Sequence, residues 1–95
     1  MPKLKTKVFD PLKYMKDAES QKIILEDAIE SGDPSHIAYV LGLIAKAQGM
    51  TKVAKKVGVT REGLYKSLTR DGDPRLSTFT GTLKALGYKL KLESD

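Results

Sequence analysis

Apolar residues recur along the chain at two different periods, and each change of period marks an element. Over residues 1–9, Leu4, Thr6 and Val8 alternate with Lys3, Lys5 and Lys7. That is the period of a half-buried strand, and it predicts an extended N-terminal arm. The period then becomes helical. Asp10-Pro11, Asp33-Pro34 and Asp73-Pro74 repeat one device, an aspartate cap followed by a proline whose missing N–H costs nothing in a first turn. The helix opened at Asp10 is restarted or continued at Asp17. It carries a stripe of Ile24, Leu25, Ala28 and Ile29, and ends at Gly32. From Pro34 to about Gln48, Ile37, Val40, Leu41, Ile44 and Ala45 follow i, i+3, i+4, i+7, i+8 spacing, a face wide enough for the central core helix. Gly49 stops it. After a loop at Arg70–Gly72, a last helix is predicted from about Pro74 to Leu86, with Leu76, Phe79, Leu83 and Leu86 inward and Gly87 at its end. In the tail, Tyr88, Leu90 and Leu92 alternate with Lys89, Lys91 and Glu93, which predicts a strand over 88–93. A lone strand does not survive, so it must pair with the arm, with its own copy in a second subunit, or with both.

Between the core helix and the loop lies the stretch that organises the chain, residues 50–69, MTKVAKKVGVTREGLYKSLT. Val53, Ala54 and Val57 form one short apolar face, and Leu64 and Leu68 form another. Gly58 stands where a helix C-terminus takes a left-handed residue, and Thr60 stands where a cap accepts a backbone N–H. Small Ala54 lets the second helix cross close to the first, with Val59 expected to plug the angle between them. These are the requirements of a helix-turn-helix, whose second helix enters the DNA major groove.

Counting Met50 as the first position, Ala54 is fifth, Gly58 ninth, Val59 tenth and Leu64 fifteenth. With these residues the stretch resembles the DNA-binding motif of the lambda Cro and repressor family. The expected fold is therefore mostly α: a five- to six-helix, lambda-repressor-like helix-turn-helix domain over 1–95, with a short N-terminal arm or strand and a C-terminal β-strand.

Composition narrows the function more than the fold. Ninety-five residues, 40% of them hydrophobic, make one small domain able to bury one modest core. There is no cysteine, hence neither a disulfide framework nor a thiolate metal site. With no membrane-length apolar run and no signal-peptide core, a soluble cytoplasmic protein is expected. The net charge of +5 is unevenly placed. From Lys46 to Arg70, seven basic residues face Glu62 alone, a net of +6. From Asp17 to Asp33, six acids face Lys22 alone, a net of −5. One part suits phosphates and the other a basic partner.

Catalysis has little to work with. His36 is the only histidine and lies in a first helical turn, where a surface or capping role is the ordinary one. With no second imidazole or thiol there is no metal set and no nucleophile–base pair, and no cofactor is expected. SGDP and DGDP read as helix ends, since they lack the lysine and strand of a phosphate loop. An enzyme is not expected.

By resemblance to the lambda family, Thr60, Arg61, Glu62, Tyr65 and Lys66 face base edges and flanking phosphates. Arg61 suits guanine, and Glu62 suits cytosine or the orientation of Arg61. Tyr65 and Lys66 suit a phosphate or a thymine methyl. Lys52, Lys55, Lys56 and Arg70 supply backbone contacts, and Thr51 is expected to cap the first helix of the motif beside a phosphate.

TKVFDP, an acidic helix ending ESGDP, IAYVLGLIAKAQGM, and TREGLYKSL followed by GDPRLSTF together resemble the antidote (antitoxin) proteins of addiction modules, small Xre-type repressors of the HigA-like kind. The resemblance implies a bacterial or phage origin, a RelE-like toxin as partner, and repression of the module's own promoter. No family motif carries toxin-binding residues over. The acidic helix and the strand-like arm place the expected toxin site at Val8, Phe9, Glu26 and Glu30, and the alternation of the tail places an expected homodimer contact at Tyr88, Leu90 and Leu92. The competing reading is a stand-alone phage-like repressor with no toxin, its acidic face merely solvated.

Overall fold

A computed structural model describes residues 17–94, which form five helices: α1 (Ala18–Ser31), α2 (Pro34–Gln48), α3 (Met50–Val57), α4 (Arg61–Ser67) and α5 (Leu76–Ala85). The arm, the Asp10-Pro11 helix start, Val8 and Phe9 lie outside the described residues. Among the described residues the architecture is all-helical.

Asp17 starts α1 by accepting the Ser20 N–H at 2.8 Å. That backbone bond first, and the Ser20 hydroxyl second, hold the Asp17 carboxyl below its ordinary range against a small opposing effect of burial. Gly32 closes the helix at φ 71°. Asp33 repeats the cap, accepting Ser35 N–H at 3.0 Å with Pro34 in the first turn.

Helix α2 is the centre, burying Ala38, Val40, Leu41, Ile44 and Ala45. Helix α1 packs on it, and α5 packs on α3. Leu25 and Ala28 from α1, Met50, Val53 and Ala54 from α3, Leu64 and Leu68 from the α4 region, and Leu83 and Leu86 from the end of α5 complete the core. Two polar residues are buried with them. Gln21 accepts from the Gln48 side-chain amide at 2.9 Å, tying α1 to α2, and the Thr82 hydroxyl donates to the Thr78 carbonyl at 2.7 Å. A buried polar group without such a partner is costly.

Four expectations fail here. Ile29 is 40% exposed and Leu76 75% exposed, so neither faces inward. Asp73-Pro74 does not open a helix: α5 begins at Leu76, with Arg75 as an N-cap that makes no side-chain bond. Leu76 shares a helix face with Phe79 and Leu83, but in the first turn it borders an open cavity with Phe79, Pro34 and Ile37 instead of packing on the core. Thr51 caps nothing, because α3 starts at Met50 directly after Gly49, a residue at φ 111° with no side-chain cap. No strand forms over 88–93. Tyr88 packs on the core, Leu90 is 54% exposed and Leu92 fully exposed. Alternation gives a segment two faces, but only an adjacent edge makes it a strand, and no strand is present among the described residues to supply one.

Candidate nucleic-acid interface

The turn between α3 and α4 is built by three residues in different conformations. Gly58 turns left-handed at φ 88°, which lets the N–H groups of Gly58 and Val59 both donate to the Ala54 carbonyl, at 2.9 and 3.1 Å. Thr60 is extended and its Oγ1 accepts the Gly63 N–H at 3.0 Å. A Cβ on Gly63 would lie 2.9 Å from that hydroxyl, so the glycine leaves it room. Val59 does not plug the angle as expected; it is 39% exposed, and only its backbone closes the turn. The inner faces are apolar: Val53, Ala54, Leu64 and Leu68 are all buried.

Thr60→Ala should therefore loosen α4 without touching the core. Loss of an N-cap costs about 1 kcal/mol, which lowers the thermal midpoint by about 4–8 °C in a domain of this size. Circular dichroism melting checks it, with Thr60→Ser expected to retain the wild-type value.

Thr51, Lys52, Lys55, Lys56, Thr60, Arg61, Glu62, Tyr65, Lys66 and Arg70 are all exposed. Arg61, Glu62, Tyr65 and Lys66 line one shallow depression of about 240 Å³ on the outer face of α4. Two residues outside the expected set join this surface. The Lys46 ammonium lies 4.6 Å from the centre of the Tyr65 ring, and the Arg70 guanidinium 4.3 Å from that of Tyr39. Both pairs border a second cavity of about 250 Å³ between α2 and the end of α4, floored by Gly42, Leu43 and Leu68. Tyr39 and Lys46 escape a sequence reading because their partners lie 31 and 19 positions away, beyond any local periodicity.

On α1, Glu19, Ile23, Glu26, Asp27 and Glu30 are exposed, at spacings that place them along one side of the helix. His36 is half-buried in the first turn of α2. Among the described residues no three of His, Cys, Asp and Glu are grouped to hold a metal ion. Burial raises the Tyr88 hydroxyl above its usual pKa, consistent with a ring anchored on the core while the chain beyond it is exposed. No described helix is long and apolar enough to cross a membrane.

The geometry defines a small helical protein with a basic, polar outer surface on one pair of short helices and an acidic surface on another helix. The chain belongs to the family of probable addiction module antidote proteins, whose model matches residues 5–94. A Haemophilus influenzae protein described as uncharacterized is 31% identical over 89 residues, 94% of this chain and 92% of its own length. No solved structure matches. Membership makes a cognate toxin the protein's partner, which favours the antidote reading over a stand-alone repressor.

Proposed function

We propose that this antidote is a DNA-binding repressor of its own module as well as the neutraliser of its toxin. In this reading α3 and α4 form a helix-turn-helix of the Xre, HigA-like kind, with α4 as recognition helix. The observation that carries it is the sidedness of the pair. Its inward residues are apolar and buried, while every outward candidate residue is exposed, and residues 50–69 carry five basic side chains against Glu62 alone, a net charge of +4. Solvation is the ordinary role of surface charge, but solvation alone does not call for so much charge of one sign on a single helical pair.

Arg61 reaches a guanine edge through two parallel hydrogen bonds, and its neighbour Glu62 accepts from cytosine or orients it. Tyr65 and Lys66 meet phosphate or a thymine methyl. Thr51, Lys52, Lys55, Lys56 and Arg70 hold the duplex backbone and so fix register. A homodimer would present two recognition helices to an inverted repeat, and the exposed Leu90 and Leu92 are the residues we assign to its contact. The toxin is proposed to be a basic, RelE-like ribonuclease bound on the acidic side of α1, and the site of action cytoplasmic.

The test is gel shift over a salt series, using the duplex upstream of the protein's own gene and a shuffled duplex of equal length. Arg61→Ala should erase the preference between the two. Lys56→Ala should weaken both alike and lower the salt slope by about one unit. Unchanged preference in Arg61→Ala would remove α4 from the groove.

A further inference from the structure

We propose that Lys46 and Arg70, each laid against a tyrosine ring, form a clamp for one DNA phosphate beside the recognition helix, in the cleft between α2 and the end of α4. The proposal rests on the DNA-binding reading above and extends it to a helix outside the helix-turn-helix. Its starting point is that these two cations differ from the other cations among the described residues. Lys46 sits over Tyr65 at 4.6 Å and Arg70 over Tyr39 at 4.3 Å. A cation over a ring face is attracted by the ring quadrupole and loses rotamer freedom before any ligand arrives. A phosphate meeting it finds the charge already placed, and less ordering entropy is lost on binding.

Position supplies the second argument. Tyr65 borders both the depression lined by Arg61, Glu62 and Lys66 and the cleft that holds Lys46 and Arg70. A duplex whose base edges lie against the first must run its backbone past the second. The cleft, about 250 Å³, carries no acidic side chain in its lining. It has an apolar floor, two fixed cations and an opening continuous with the base-reading face. That chemistry fits a phosphodiester. Tyr39 is a positioning residue in this scheme, acting through Arg70.

The experiment uses fluorescence anisotropy of the full chain with the same two duplexes, own-promoter and shuffled, over a salt series. Lys46→Gln and Arg70→Gln should each weaken both duplexes severalfold near 0.1 M salt, and the double variant, which leaves the one phosphate without a cation, should lower the salt slope by about 0.9. Since a phosphate carries no base identity, the preference between the duplexes should stay as in wild type. Tyr39→Leu should weaken binding by about threefold with the slope unchanged, because the charge remains and only its placement is lost. Tyr39→Phe, which keeps the ring, should bind as wild type. If the glutamine variants, single and double, keep wild-type affinity and slope while Lys56→Ala loses them, the clamp is wrong and the DNA reading stands. If Tyr39→Leu binds like Tyr39→Phe, the rings do not position the cations. If the wild-type chain binds neither duplex, the DNA reading falls and takes the clamp with it.

Discussion

Gly42→Ala is expected to destabilise the protein by about 2 kcal/mol, and to move the thermal midpoint down by roughly 8–16 °C. The position is interior to α2, where alanine would ordinarily gain about 1 kcal/mol over glycine. Here the sign reverses, because a Cβ at Gly42 would run into the Leu68 carbonyl oxygen. That oxygen is backbone, so no rotamer change relieves the contact. The end of α4 must shift, and with it Leu64 and Leu68, both buried in the core. Overpacking of this kind typically costs about 1–3 kcal/mol, on the order of a quarter of the stability of a domain this size. Gly81→Ala is the matched control: also interior to a helix, its Cβ would meet only the Val57 side chain at 3.4 Å. It should be neutral or stabilising by up to about 1 kcal/mol. Urea unfolding of the pair gives both values. A Gly42→Ala variant as stable as Gly81→Ala would mean that α4 does not rest on α2.

Gly42 also shows where the reach of local sequence signals ends. Within α2 it is one more small residue on an apolar helix, and its need to be glycine depends on Leu68, in a segment far along the chain. The helices themselves were legible, because their signals are local. The bounds expected for α2 were met, as Pro34 and Gly49 mark both ends. Asp17, Gly32, Gly58 and Thr60 cap as expected, each through a bond spanning three or four residues. The failures come from rules with a tertiary condition. Asp73-Pro74 has the same two residues as Asp33-Pro34, yet the chain after Pro74 enters its helix two residues later, at Leu76. The alternation at 88–93 needed a partner edge. At the candidate DNA surface the exposed face of α4 could be read from spacing. The tyrosine-backed cations could not, since each joins residues from different elements.

The double reversal Glu26→Lys with Glu30→Lys is expected to weaken toxin capture by about tenfold or more at low salt, while leaving DNA binding close to wild type. Single surface charge pairs contribute roughly 0–1 kcal/mol, so one substitution would fall near the noise. Two reversals act together, changing the net charge of residues 17–33 from −5 to −1. They replace attraction by repulsion toward a basic partner, and the effect should fade as salt shortens the range of both. Both carboxylates are exposed on α1, on the side that also presents Ile23 at 58% exposure. An apolar side chain among acids supplies the burial that charges alone do not, so Ile23→Ser should weaken capture with little salt dependence. Calorimetry with the purified toxin separates the two contributions, and the anisotropy assay on the same variants reports the DNA side. If capture survives the double reversal, Ile23→Ser and removal of residues 1–9, α1 and the arm are not the toxin site. If the reversals abolish DNA binding as well, the two surfaces are not independent, and the separate assignment of toxin to α1 and of DNA to α3 and α4 falls.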